Sequence, residues 1–402
     1  MLWIALVDRS GSGLWASVSV LYFIYVTGLS VAQVGTLAAV SGAIGIAGAP
    51  LGGRIADRLP LTRVLIALQI VRALASLALL TTDNYGLLLT FSAVGSLGDR
   101  AANVLTKLYA TRVSGPDRVR YQAVSRTAAN AGWALGGLAA AAALTVGTTT
   151  AYQWLLAGDA LSFVAAALLT VRCAEPPSPT RVIATSKDPT PTTKPHNPWR
   201  DRTYLAYVAT EIVLFLDDAV FKVGLPLWIA HSGHAPHGLA PLLMVLNNVM
   251  VVALQVPLAR FGTTTAAART LLLPLSAAFA LGGVTMALSA TGGPVTATLF
   301  LTASAVAFTT AEMLHATVSW ELSVALAPGT ALGAYLGVHG LAQSAQRSIG
   351  PLAVTAAIAA GPLGWTLFGA TVAVTCMFQR RLVRNHLDRT ALSVPPVTVS
   401  EH

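Results

Sequence analysis

The chain has 402 residues, of which 54% are hydrophobic and 10% charged, with a formal net charge of +9. Soluble domains carry about 25% charged residues, and mean hydropathy here is +0.67, so a soluble globular protein is excluded. The apolar runs are continuous and about 20 residues long, which predicts membrane-spanning helices rather than the shorter alternating strands of a barrel.

Taken in chain order, twelve spanning helices are expected over residues 2–27, 31–52, 62–82, 87–110, 121–146, 151–171, 203–230, 239–260, 269–290, 294–323, 331–360 and 362–384. The first begins at Met1, contains Asp8 and Arg9, and lacks the basic start and small-residue cleavage site of a signal peptide. Between the sixth and seventh segments, residues 173–202 carry Glu-Pro-Pro-Ser-Pro-Thr and Pro-Thr-Pro-Thr-Thr-Lys-Pro, a composition that cannot bury a core and reads as a linker. Four regions are therefore expected: a six-helix bundle over 1–172, a cytoplasmic linker over 173–202, a second six-helix bundle over 203–386, and a polar cytoplasmic tail over 387–402. A shift of 214 residues lays the fifth segment on the eleventh, pairing Tyr121 with Tyr335, Val124 with Val338, Gly136 with Gly350, Leu138 with Leu352 and Ala139 with Ala353. Internal repeats of this kind characterise transporters.

Basic residues give the orientation. Of 25 Lys and Arg, 18 fall in one set of loops, at the segment ends bordering them, or in the tail: Arg54, Arg58 and Arg63; Arg112, Arg118 and Arg120; six from Arg172 to Arg202; Arg260 and Arg269; and Arg380, Arg381, Arg384 and Arg389. The alternate loops, around Leu29, Asp83, Gly147, His234, Gly292 and Gly361, carry none. Short loops rich in Lys and Arg stay in the cytoplasm, and an even helix count then places both termini inside. The net positive charge is thus an orientation signal, not a nucleic-acid footprint.

Eleven charged residues lie on the first, fourth, seventh and tenth segments: Asp8 and Arg9; Asp99, Arg100 and Lys107; Glu211, Asp217, Asp218 and Lys222; Glu312 and Glu321. His315 joins the tenth, and four further charges, Arg72, Arg126, Asp159 and Arg347, lie in the interiors of other segments, away from their cytoplasmic ends. Charges inside a bilayer are costly and suggest function by default. Their recurrence on every third helix suggests a repeat whose first member faces a shared polar cavity. Orientation puts Asp99, Arg100, Asp217, Asp218 and Glu312 near mid-depth, and Asp8, Lys107 and Glu321 nearer the cytoplasm. Two close carboxylates do not both ionise readily, and burial favours the neutral acid. Asp217, Asp218 and Glu312 are therefore candidates for reversible protonation, with Asp99 next. Asp218 and Lys222, four apart, can pair within one turn. Asp8, Arg9, Trp15, Tyr22, Arg100, Lys222, His315 and Trp320 are candidates to line a cavity for an amphipathic ligand. Arg72 is expected in a structural ion pair, and Asp159 as a packing polar group.

After the second segment the chain reads Gly52-Gly53-Arg54-Ile55-Ala56-Asp57-Arg58-Leu59-Pro60-Leu61-Thr62-Arg63. This resembles the signature loop of the major facilitator superfamily, with Gly53, Asp57, Arg58 and Arg63 matching; Pro60-Leu61 stands where that family more often has Gly and a basic residue. The resemblance implies an all-α fold of twelve membrane helices in two pseudo-symmetric bundles, a cavity lined by the first, fourth, seventh and tenth helices, and a loop that latches the cytoplasmic side of the outward-open state. The fifth segment, with Arg126, Asn130, Gly132, Gly136 and Gly137, is similar to the family's antiporter glycine motif, without its usual Pro beside Gly136; a Gly-Pro pair stands instead at Gly350-Pro351. Tight helix packing is the alternative for these glycines. Gly11-Ser12-Gly13, Leu225-Pro226-Leu227-Trp228 and Trp320-Glu321 look like the bacterial multidrug and natural-product efflux branch.

The favoured expectation is a secondary active transporter in a bacterial cytoplasmic membrane. It would export a drug-like or secondary-metabolite compound against protons, as a monomer with the lipid bilayer as its solvent, with no cofactor and no nucleic-acid partner. An importer or proton symporter on the same fold is the second reading. An intramembrane enzyme is the third, but it would need two metal-holding Asp clusters where only Asp217-Asp218 occurs. No phosphate-cradling Gly-x-x-x-x-Gly-Lys-Ser/Thr loop is present. No metal site is expected from His231, His234 and His237, which lack nearby carboxylates or cysteines. Cys173 and Cys376 are not expected to pair.

Overall fold

A computed structural model describes residues 2–145, 148–177, 196–232, 235–236 and 238–393. His234 and His237 lie outside the described residues. The regular structure among the described residues is helical: α1 (Leu2–Tyr25), α2 (Val31–Ile46), α3 (Gly48–Arg58), α4 (Leu61–Ala78), α5 (Tyr85–Ser114), α6 (Arg118–Leu144), α7 (Thr149–Val171), α8 (Arg202–Leu214), α9 (Leu225–Ser232), α10 (Leu239–Ala259), α11 (Thr265–Leu288), α12 (Pro294–Ala325), α13 (Leu332–Ala359) and α14 (Gly361–Ser393). Seven stretches are long and apolar enough to cross a membrane by length and composition alone. Charge or polarity on α1, α5, α6 and α13 and the break between α8 and α9 keep the others from that description. The twelve expected segments are all recovered as helix, the second as α2–α3 and the seventh as α8–α9.

Local chemistry accounts for the boundaries. Ser30 and Gln33 form a reciprocal capping box at the start of α2, and Asn84, Thr148, Asp201 and Thr264 accept backbone N–H bonds at the starts of α5, α7, α8 and α11. The second segment breaks at Ala47 because Pro50 has no N–H to return to Ile46. The last helix runs on to Ser393, seven residues into the region expected as a polar tail.

The chain divides into two compact units. One comprises Met1–Pro198 with Val251–Arg260 and Ser323–Ala345; the other comprises Trp199–Met250, Phe261–Leu322 and Gln346–His402. In the first unit, α1 packs against α6 through glycine. A Cβ on Gly136 would stand 2.8 Å from the Leu14 nitrogen and 3.0 Å from the Gly13 Cα, so only a residue without a side chain permits this approach. In the second unit the sequence repeat has its counterpart: a Cβ on Gly350 of α13 would meet Ala219, on the seventh segment, at 2.8 Å. Each repeat thus places its fifth helix on its own first.

Candidate functional site

The first unit holds a buried charge cluster centred on Arg72 of α4. Its guanidinium donates to Asp8 Oδ1 at 2.6 Å, to Gln69 Oε1 at 2.9 Å and to Asp99 Oδ1 at 3.2 Å, and lies 3.9 Å over the Phe163 ring. Arg72 is 3% exposed, so a planar, permanently charged fork pairs two carboxylates out of water. Asn103, one turn beyond Asp99 on α5, donates to it at 3.2 Å and accepts a hydrogen bond from Arg9. One turn beyond Arg72, Ser76 donates to Asp159 Oδ2 at 2.8 Å. Four helices therefore converge on one cation.

The second unit holds a comparable cluster centred on His315 of α12. Its Nδ1 lies 3.2 Å from Asp217 Oδ2 and its Nε2 3.5 Å from Glu211 Oε2. Glu211 is fully buried; it accepts from Gln379 Nε2 at 2.6 Å and from the Ser319 hydroxyl. Ser319 is one turn from His315, so a single face of α12 presents both groups. A neutral imidazole can donate from one nitrogen only, so a ring facing a carboxylate on each side is matched by its doubly protonated form.

The seventh segment is irregular where it supplies Asp217. After α8 the backbone tightens into three-residue turns, with Leu216, Asp218 and Ala219 amides bonding Val213, Phe215 and Leu216 carbonyls. Val220–Gly224 then forms a π-helical turn in which the Leu225 amide reaches the Val220 carbonyl. Pro226 explains the widening, because it has no N–H with which to continue the α-helical ladder to Lys222. Broken helices of this kind recur at transporter sites.

The structure brings some candidates together and separates others. Asp217 joins His315, whereas its neighbour Asp218 turns away to pair with Lys222 at 2.8 Å with both side chains largely exposed. Glu312 accepts from Asn247 of α10 at 2.8 Å, apart from the His315 contacts. Asp8, Arg9 and Asp99 belong to the Arg72 cluster. Arg100 instead turns its Cβ toward Gly48 of α3. Trp15 and Tyr22 stack edge-on at 5.8 Å, and the buried Tyr22 donates to the Leu79 carbonyl at 2.9 Å. Trp320 is half-buried on α12. Gly132 and Gly136 of the glycine motif pack on α1, Gly137 approaches Ser17, and Arg126 and Asn130 are half-buried on α6.

At the signature loop, the two Asp57 oxygens accept from the Gly333 and Ala334 amides at 2.9 and 2.8 Å, which caps the start of α13. A Cβ on Gly53 would collide with the Gly333 carbonyl. Arg112 lies 3.5 Å from Asp57, while Arg58 and Arg63 are exposed. Glu175 caps the start of α4, accepting from the Leu61 and Thr62 amides at 2.7 and 2.8 Å.

Sequence reasoning singled out neither Glu211 as a partner of His315 nor Gln69, Asn103, Arg112, Ser319 and Gln379 as supports. Helical spacing was the available signal for three of them: Gln69 with Arg72, Asn103 with Asp99, and Ser319 with His315.

Against known proteins, a family model described as Major Facilitator Superfamily matches residues 2–351. Among solved structures, the chain is similar to a bacterial homologue of the iron transporter ferroportin in an outward-facing state, at 15% identity over 96% of this chain and 98% of that one, with a TM-score of 0.73. It is similar to the proton:xylose symporter XylE at 15% identity over 94% and 95% of the two chains, TM-score 0.69. It is also similar to the E. coli fucose:proton symporter FucP at 14% identity over 95% and 98%, TM-score 0.67. At such identities the likeness carries the fold alone. No curated protein matches the chain.

Proposed function

The chain belongs to the Major Facilitator Superfamily, and from that premise we propose that this multi-pass membrane transporter exports a small amphipathic organic compound in exchange for protons. The observation that carries the proposal is His315 held between Asp217 and Glu211. Histidine is the side chain whose charge changes most readily near neutral pH, and here its protonation alters the balance of a buried cluster beside a broken helix. In this reading Asp217, Glu211 and His315 share the transported proton. Asp57 on the start of α13 acts as the cytoplasmic latch, broken and remade in each cycle of alternating access. The compound is drug-like or a secondary metabolite, the membrane is the bacterial cytoplasmic one, and both termini lie inside.

The test is transport in inside-out vesicles containing the purified chain. With an imposed proton gradient, the expected result is gradient-dependent accumulation of a toxic amphipathic compound and loss of that dependence in His315→Gln. Equal dependence in the variant would sink the assignment. A proton symporter is the second reading, because two similar structures are named as proton symporters. Protons and solute moving in the same direction would select it.

A further inference from the structure

Arg347 of α13 is a cation that neither buried cluster uses. It is the sixteenth of the helix's 28 residues, roughly 22 Å along the axis from the first and roughly 18 Å from the last at about 1.5 Å per residue. An arginine at that depth of a spanning segment keeps its charge, and a charge there is costly unless something answers it. Arg347 is exposed and makes no hydrogen bond or ion pair among the described residues. Gln346 beside it is 3% exposed, and its amide also has no hydrogen-bond partner among the described residues. A buried amide left in that state loses its water and gains nothing in return.

The packing of α13 shows which side of the helix carries the two groups. A Cβ on Gly350 would meet the Ala219 Cβ at 2.8 Å and the Gln346 Nε2 at 3.0 Å, so the amide nitrogen lies against the seventh segment. A Cβ on Gly224 of that segment would meet Val354 at 2.8 Å. Gly350 and Val354 therefore mark the face of α13 that packs on the seventh segment. Arg347 stands three residues before Gly350 and seven before Val354, positions that share one face of a helix. Leu352, 70% exposed, is five residues further on and so about 140° away round the helix. The guanidinium thus leaves α13 beside its seam with the seventh segment, away from the apolar side that Leu352 presents. The two acids next to Ala219 in the chain do not answer it: Asp217 bonds His315 and Asp218 bonds Lys222.

We propose that Arg347, with Gln346, binds an anionic group of the transported compound, which is therefore an amphipathic organic acid carrying a carboxylate, sulfonate or phosphate. The guanidinium and the amide NH2 only donate, and an ionised acid only accepts. A permanently charged planar fork matches two oxygens of such a group at once. The phosphate of a lipid headgroup offers the same chemistry, and the experiment separates the two sources. This names the substrate class of the transport reading given above and rests on it.

The experiment uses the purified full-length chain in nanodiscs of neutral phosphatidylcholine, with binding corrected for empty discs. The probes are naphthalene-2-carboxylate and 2-naphthylmethylammonium, alike in ring and opposite in charge. The native chain is expected to bind the carboxylate about tenfold more tightly than the ammonium. Arg347→Gln should weaken the carboxylate by about tenfold and so remove the preference. Arg347→Lys should recover part of it, and Gln346→Leu should weaken the carboxylate alone by about threefold. A native chain without the preference, or one whose carboxylate affinity Arg347→Gln leaves unchanged, overturns the site. The Tm of Arg347→Gln should match the native value, because the side chain holds nothing within the protein; a marked fall makes Arg347 structural and overturns the site as well. Repeating the native titration in anionic phosphatidylglycerol discs tests the lipid. Equal carboxylate affinity supports a substrate contact, whereas abolished binding assigns Arg347 to the headgroup and overturns it. Failure of the wider reading looks different. Carboxylate that binds in discs but does not cross vesicles, with or without a proton gradient, removes transport of the acid and leaves the site. Gradient-driven export of the ammonium by the native chain and Arg347→Gln alike keeps proton exchange and removes Arg347.

Discussion

The two buried clusters are built alike around different cations. In the first unit Arg72 is held by Asp8 and Asp99, with Gln69 and Asn103 in support; in the second His315 is held by Asp217 and Glu211, with Ser319 and Gln379 in support. Arginine keeps its charge under any condition a protein survives, so any proton in that cluster must reside on a carboxylate. Histidine can itself take and lose the proton. Similar surroundings therefore give one centre of fixed charge and one whose central cation can be switched off. The difference shows that the identity of the cation, not the number of acids around it, decides which group in a buried cluster can report on pH.

The largest expected effect comes from removing the fixed cation. Arg72→Met removes the buried cation that bridges Asp8 and Asp99, and removing one partner of such a buried ion pair costs about 3–5 kcal/mol. Thermal unfolding in detergent should show a loss too large for a stable sample. Arg72→Lys should recover only part, because a point charge cannot serve two carboxylates as a fork does. A stable Arg72→Met protein would break the comparison at its root.

His315→Gln keeps a side chain that bonds one carboxylate, so stability should fall by only about 1–3 kcal/mol while proton-driven flux falls to the level of empty vesicles. Its pH dependence sharpens the contrast. A protonated ring presents an N–H to each side, toward Asp217 at 3.2 Å and Glu211 at 3.5 Å, whereas a neutral ring can donate to only one of them. The difference in Tm between native and His315→Gln should therefore shrink as pH rises, whereas the Arg72→Lys deficit should not follow the loss of a proton from its cation.

Away from the clusters the effects should be smaller. Asp57→Ala removes a carboxylate from the first turn of α13 and should cost about 1–2 kcal/mol. Hydrogen exchange at the Gly333 and Ala334 amides should quicken by about tenfold for each 1.4 kcal/mol, with the amides around Arg72 and His315 unchanged. Lys222→Ala breaks an exposed pair four residues apart and should change Tm hardly at all, for about 0.3–0.5 kcal/mol. A loss as large as that of His315→Gln would show that Asp218, rather than Asp217, belongs to the switchable centre.

Much of this was legible in the chain itself. Hydropathy marks the twelve segments, and the spacing from Gly53 to Asp57 marks the loop that caps α13; most of the expected linker, residues 178–195, lies outside the described residues. Helical periodicity requires Asp217 and Asp218 to face different ways, and the structure sends one to His315 and the other to Lys222. Periodicity could not show which went where, because the turn between α8 and α9 is first tightened and then widened, and each step rotates the residues that follow. Glu211 and Asp217 are six apart, a spacing that puts them on different faces of a regular helix. Only the irregular turn and the approach of α12 bring both to one imidazole.

The sequence by itself determined the membrane fold, since unsatisfied backbone and charge are costly in lipid and leave their absence written in composition. It also marked the segments that carry ionisable residues. Tertiary structure alone decided how those residues are grouped, because a charge buried on one helix chooses its partner from helices distant in the chain. Arg72 finds Asp8 and Asp99, His315 finds Glu211 and Asp217, and Asp159 accepts from the Ser76 hydroxyl.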